Sequence, residues 1–112
     1  MVDKYLESYA AKFKVLADPL RLKILILLRD GEKCVCELVD LLEQKQPLVS
    51  YHLKLMVEVG LIDKRTEGTW AYYSLNKDIQ QWFSSCCRFL TAQDIIESLR
   101  STQKGDGRSA SK

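Results

Sequence analysis

Apolar side chains recur at helical spacing from the start of the chain. Tyr5, Leu6, Tyr9, Phe13 and Leu16 share one face and predict a first helix to about Ala17. Asp18 is a good N-cap and Pro19 a good first-turn residue, so a second helix begins there. Its Leu20, Leu22, Ile24, Leu25, Leu27 and Leu28 cover most of its surface, which predicts a helix central to the core, stopped at Asp30-Gly31. A short third helix is expected from about Cys34 to Glu43, with Val35, Leu38, Leu41 and Leu42 facing inward. Pro47 sets the start of a fourth, whose inward positions are Val49, Leu53 and Met56 and whose stop is Gly60. Two runs, 61–65 and 70–75, flank a short turn containing Gly68 and predict a β-hairpin. Asn76 is expected to cap a fifth helix bearing Ile79, Trp82, Phe83, Cys86, Cys87 and Leu90. Thr91 with Asp94 three residues later has the form of a capping box, so a kink or new helix through Ile95, Ile96 and Leu99 follows.

Helix, helix, short turn, helix and hairpin make the winged helix-turn-helix plan: a mostly α fold with a small β-hairpin. It occupies 1–100 as one DNA-binding and dimerisation domain. Residues 101–112, rich in Ser, Gly and Lys without large apolar side chains, read as a disordered tail. In so small a domain the apolar first and last helices have little to pack on except each other, so a homodimer through them is expected.

Charge refines this picture. The formal +2 is misleading, because residues 1–100 carry 14 Lys and Arg against 14 Asp and Glu. Attraction to nucleic acid must therefore be local. Between Gln44 and Lys54 lie Lys45, His52 and Lys54 with no acid, whereas Glu32 to Glu43 holds four acids against Lys33. On the fourth helix Ser50, Tyr51 and Lys54 point away from the inward positions, and Gln46 and Leu48 stand at its start. Residues at that end approach base edges: Gln46 suits adenine, Ser50 a base or phosphate, Leu48 a thymine methyl. Lys45 and Lys54, with Lys64, Arg65 and Thr69 of the wing, are better suited to phosphates. A dimer should read an inverted repeat in operator double-stranded DNA.

The chemistry lies in Cys34-Val35-Cys36, two thiols one residue apart beside the reading helix. The positive end of a helix and neighbouring Lys33 favour thiolate there. If both residues are helical, their side chains point about 200° apart, so holding one ion bends the first turn of the third helix. Two thiolates without a nearby His or carboxylate cluster favour soft, thiophilic species. Cys86 and Cys87 fit packing at the dimer interface better than ligation, though a third sulfur from either is an alternative. The single histidine, His52, is expected to meet DNA or a neighbouring side chain. The start of the chain lacks an apolar leader, and the longest apolar run, Ile24 to Leu28, cannot span a bilayer. A cytoplasmic, reducing compartment, no membrane partner and free thiols rather than a disulfide framework are expected. A thiol redox switch is the alternative regulatory reading, disfavoured because short-loop disulfides are strained. No Cys-X-X-Cys, βαβ unit or nucleophile–base pair suggests an enzyme or a catalytic cofactor.

Several motifs together resemble the ArsR/SmtB family of metal-responsive repressors, of the arsenical-resistance type. These are Ala17-Asp18-Pro19-Leu20-Arg21-Leu22-Lys23-Ile24-Leu25, Cys34-Val35-Cys36-Glu37-Leu38, Gln46-Pro47-Leu48-Val49-Ser50-Tyr51-His52-Leu53, Gly60-Leu61-Ile62, and Gly68-Thr69-Trp70-Ala71-Tyr72-Tyr73-Ser74-Leu75. The resemblance covers roughly residues 10–80 and implies a homodimeric repressor released from its operator by a metal or metalloid. Arsenic repressors of the family usually carry a third cysteine three residues after the second; here Val39 stands there. Cadmium and lead sensors draw thiols from an N-terminal arm, but residues 1–33 hold no cysteine, and the Asp/His pairs of zinc and nickel sensors have no counterpart. Arsenite or antimonite, held by Cys34 and Cys36, is the expected effector, with a cadmium or lead sensor of the same fold as the alternative.

Overall fold

The computed structural model describes residues 2–102. In chain order it contains α1 (Val2–Leu16), α2 (Pro19–Leu28), β1 (Lys33–Cys34), α3 (Val35–Leu42), α4 (Gln46–Glu58), β2 (Ile62–Glu67), β3 (Trp70–Leu75), α5 (Ile79–Leu90) and α6 (Gln93–Thr102). This is the winged helix-turn-helix: α3 and α4 form the helix-turn-helix and β2–β3 the wing. From residue 103 onward the expected disordered tail lies outside the described residues. No helix among the described residues is long and apolar enough to cross a membrane.

The helix boundaries follow from local chemistry. One Asp18 carboxylate oxygen accepts from the backbone N–H groups of Leu20 (2.8 Å) and Arg21 (3.3 Å), closing the start of α2 ahead of Pro19. Gly60 follows α4 at φ 82°, a left-handed conformation that costs a side-chain-bearing residue about 1–2 kcal/mol. Gly68, φ 62°, turns the wing. Strand β3 has the expected limits, while β2 runs two residues beyond the expected end to pair Glu67 with Trp70.

The core gathers Ile24 and Leu28 of α2, Leu38 and Leu42 of α3, Val49, Leu53 and Met56 of α4, and Leu61, Ile62 and Tyr73 of the sheet. Val49, Leu53 and Met56 are each 0% exposed, as helical spacing predicts. At about 1.5–3 kcal/mol per buried side chain, they seat the reading helix on the scaffold as a rigid element.

Several expectations are corrected. α2 buries Ile24 and Leu28 but not most of its apolar surface, since Leu22 and Ile26 face outward, 46% and 58% exposed. Leu41 of α3 is likewise exposed, because α3 is short and its packing face against α2 and α4 is filled by Leu38 and Leu42. The hairpin is part of a three-stranded antiparallel sheet, order β1-β3-β2, because Lys33 and Cys34 pair with Tyr73 and Tyr72. Asn76 does not cap α5 directly; its side chain accepts from Asp78 N–H (2.9 Å) and shapes the turn before the helix. Thr91 ends α5 and donates its hydroxyl back to the Cys87 carbonyl (2.8 Å) rather than capping α6.

The first and fifth helices meet through aromatic side chains, but within one chain. Tyr9 and Phe13 pack on Trp82, and Tyr5 and Tyr9 on Phe89, with centroids 5.4–6.2 Å apart. Trp82 also meets Phe83 edge to face and lies under the Lys12 ammonium. A second apolar face remains exposed: Phe83, Leu90 and Ile96.

Candidate functional site: the thiol pair, the reading helix and the wing

Cys34 is not helical. It is the N-cap of α3, extended at φ −82°, ψ 165°, while Cys36 lies in the helix's first turn. The extended residue aims its side chain back toward the helix start, so the two sulfurs meet and are joined as a disulfide, with the Cα atoms 5.4 Å apart. Two expectations fall here. The thiols do not diverge, because only one of them is helical, so convergence needs no unwinding of α3. Nor are they free in this structure.

Around the pair is a reciprocal capping box. The Cys34 sulfur accepts the Glu37 N–H at 3.4 Å, and Glu37 Oε1 accepts the Cys34 N–H at 2.9 Å. Cys34 is buried and Cys36 exposed. Beside Cys36 opens a cleft of about 250 Å³, lined by Val35, Cys36, Gln46, Thr69, Trp70 and Ala71. It therefore touches the thiol site, the start of the reading helix and the wing tip. Among the described residues no three of His, Cys, Asp and Glu converge on a point. Cys86 is buried on α5, where burial first and Cys87 second push its thiol above the ordinary range; Cys87 is exposed.

The reading helix presents Gln46, Leu48, Tyr51 and Lys54 to solvent, with Lys45 just before it and Ser50 half-buried. His52 does not join them. It is 7% exposed, and its Nδ1 accepts from Arg21 Nε at 2.8 Å, while Arg21 Nη1 donates to the Val15 carbonyl at 3.1 Å. That carbonyl belongs to the last turn of α1, which lacks intrahelical donors. One guanidinium thus ties the end of α1, the start of α2 and the middle of α4. Burial, and then the Arg21 charge, hold His52 below the usual histidine range, with Asp18 opposing. Burial alone raises the Asp18 carboxyl, but the N–H groups of Arg21 and Leu20, then the His52 and Arg21 charges, outweigh it and leave Asp18 below the carboxylate range. The inward turn of His52 was legible: it lies three residues after Val49 and four before Met56, on the apolar stripe.

On the wing, Lys64 and Thr69 are exposed. Arg65 is engaged: Nε and Nη2 donate to the two oxygens of Glu32 at 2.9 and 2.8 Å, Nη1 donates to Glu67 at 3.1 Å, and the guanidinium lies 4.7 Å above the Tyr72 ring. The Arg65 hydrogen bond holds Glu32 below the carboxylate range, and the same contacts raise Arg65. Glu32 stands two residues before Cys34, and Tyr72 pairs with Cys34 in the sheet. The thiol corner is thus strapped to the wing twice, a link with no signal in the periodicity.

The residues 18–64 match the model of the bacterial regulatory protein arsR family. The chain is 44% identical over 88 residues to the arsenical resistance operon repressor of Bacillus subtilis, covering 75% of this chain and 84% of that one. It is 39% identical over 104 residues to the arsenical resistance operon repressor of Escherichia coli, covering 86% and 89%. The homodimeric winged helix-turn-helix DNA-binding domain Mb0332 of Mycobacterium bovis superposes with a TM-score of 0.67 at 29% identity, over 86% of this chain and 88% of that one. The motif order, the fold and these relatives agree: the chain belongs to the arsR family of bacterial regulatory proteins, winged helix-turn-helix transcriptional repressors that bind DNA.

Proposed function

We propose that the protein is a cytoplasmic homodimeric repressor that leaves an inverted-repeat operator when a soft trivalent metalloid, arsenite or antimonite, is held by the Cys34 and Cys36 thiolates. The observation that carries this reading is the meeting of the two sulfurs at the N-cap of α3. A donor set of two sulfurs suits a thiophilic ligand and little else. The names of the Bacillus subtilis and Escherichia coli relatives point to the same ligand class.

The chain's own residues supply the coupling. The Cys34 sulfur offered to the ligand also accepts the Glu37 N–H, so engaging it draws on the cap of α3. That corner is joined through Tyr72 and Tyr73 and through Glu32–Arg65 to the wing, and through α3 to α4. A change there biases both DNA-facing elements together. On DNA, Gln46, Leu48 and Ser50 face bases, with Tyr51 alongside, and Lys45, Lys54, Lys64 and Thr69 face phosphates. Arg65 joins them only by exchanging Glu32 for a phosphate. The exposed Phe83, Leu90 and Ile96 face suits the partner subunit.

The test is operator release by the reduced protein. Cys34→Ser and Cys36→Ser should each bind operator as the parent does, yet fail to release it on arsenite or antimonite addition. Normal release from the double variant refutes the assignment. The observed disulfide favours one second reading, in which oxidation of the same pair releases DNA. Release by peroxide but not by arsenite selects it.

A further inference from the structure

We propose that the groove between α2 and α3 is a second self-association surface, through which one dimer of this chain docks on the next. The occupant is a second copy of the chain, held by apolar side chains and by opposite charges on the two helices. The contact builds on the homodimer proposed for Phe83, Leu90 and Ile96, and its residues are distinct from those.

Apolar side chains scattered singly over a surface need no partner, but contiguous ones rimmed by charge mark a contact. Ile26 of α2 and Leu41 of α3, 58% and 54% exposed, line one groove of about 220 Å³ with Leu27, Leu42 and Lys23. Leu22, one turn before Ile26 and also exposed, extends the apolar ridge. The two walls carry opposite charge. Residues 19–29 hold Arg21, Lys23 and Arg29 with no acid, and residues 35–44 hold Glu37, Asp40 and Glu43 with no base. Arg21 is turned inward to His52, whereas Lys23, Arg29, Glu37, Asp40 and Glu43 are exposed. Among the described residues none of those exposed charges is in an ion pair within the chain.

That arrangement selects the occupant. Under a two-fold axis, α2 of one copy lies over α3 of the other. A basic wall then meets an acidic one twice, and Ile26 and Leu41 are enclosed between them. A partner of one charge sign, such as an acidic peptide, would match α2 and be repelled by α3. A few side chains per copy are a small patch against the roughly 1,000 Å² that a stable interface buries, so the contact is weak between free dimers. It gains where DNA holds dimers side by side, because the local concentration then reaches about the millimolar range. A homodimer carries this face once on each protomer, so docking runs from dimer to dimer.

The test is sedimentation velocity of the full-length protein at low salt, kept reduced so that the exposed Cys87 forms no cross-link. Taken up to about 0.5 mM protomer, the parent should rise in mass above the dimer, and added salt should reverse part of the rise. Ile26→Gln with Leu41→Gln should abolish the rise and leave the dimer intact, since both side chains stand in solvent. Lys23→Glu and Asp40→Lys should each raise the dimer–dimer dissociation constant about tenfold. Mixing those two variants should restore association, because all-acidic faces then meet all-basic ones; a change in folding cannot be rescued that way. The Gln variant should also bind a single operator as the parent does. A parent that stays dimeric throughout, or an association that survives the Gln substitutions or is not restored by mixing, overturns the proposal. Monomers from the Gln variant would place the groove in the primary dimer, and a loss of single-operator affinity would assign it to DNA; either result overturns the proposal as well. A parent that is monomeric throughout refutes the homodimer reading and this one with it.

Discussion

His52 should be a stability determinant that titrates, and the two properties are separable by substitution. Its Nδ1 accepts a 2.8 Å hydrogen bond from the charged Arg21 side chain, and its ring is 7% exposed between α2 and α4. A hydrogen bond to a charged group contributes about 1.5–3 kcal/mol, and removal strands the Arg21 donor. With the ring's packing lost as well, His52→Ala should cost at least about 2 kcal/mol. His52→Asn keeps a carbonyl oxygen near the Nδ1 position and should cost less. Burial first, and then the Arg21 guanidinium that a protonated Nδ1 would face as a donor, hold this residue's pKa down in the folded state. The unfolded chain therefore binds the proton first as pH falls. The His52 contribution is complete above the unfolded value of about 6.5 and is lost as pH drops through the lower folded value. Glu32 and Asp18, also depressed, act in the same direction but only below about 4.5. Urea midpoints at about pH 7.5 and 5, at one protomer concentration, isolate the histidine. The parent should lose stability between those values, and His52→Asn should lose measurably less. An Asn variant with the parent's full pH dependence, or an Ala variant within about 0.5 kcal/mol of the parent, refutes the reasoning.

Three further outcomes are expected. Substituting Gln46 and Ser50 by Ala should weaken specific operator binding more than non-specific binding, whereas Lys54→Ala should weaken both and flatten the salt dependence by about one unit; fluorescence anisotropy across salt concentrations reads this. Phe83→Ala with Leu90→Ala, side chains 39% and 49% exposed in a single chain, should raise the dimer dissociation constant by about tenfold or more in sedimentation equilibrium, with little change in circular dichroism. Glu32→Gln should leave stability within about 1 kcal/mol, since the pair is half-exposed, yet steepen the salt dependence of DNA binding by freeing Arg65 for a phosphate.

Local rules made much of this protein legible from its sequence. Asp18-Pro19 starts α2 because one carboxylate and a preset φ satisfy an end that any helix must satisfy. Val49, Leu53 and Met56 are buried because a reading helix must be half apolar to sit on anything. The hairpin, with Gly68 at its turn, needs only alternation and a left-handed residue. The family motifs place the thiol pair and the reading helix in order along the chain. Other features depend on partners distant in sequence. Periodicity cannot show β1, which is two residues long and exists because Tyr72 and Tyr73 lie beside it. That pairing keeps Cys34 extended, and its extension brings its sulfur to Cys36. Arg65 looked like a free phosphate ligand because nothing nearby in sequence reveals that Glu32 folds back onto it. Leu22 and Leu41 read as core because apolarity is a property of the residue, whereas burial depends on what packs opposite. Element type and order are decided within a few residues by spacing and caps. The convergence of the thiols, their strap to the wing and the cleft between wing and reading helix arise only when chain folding brings separate elements together.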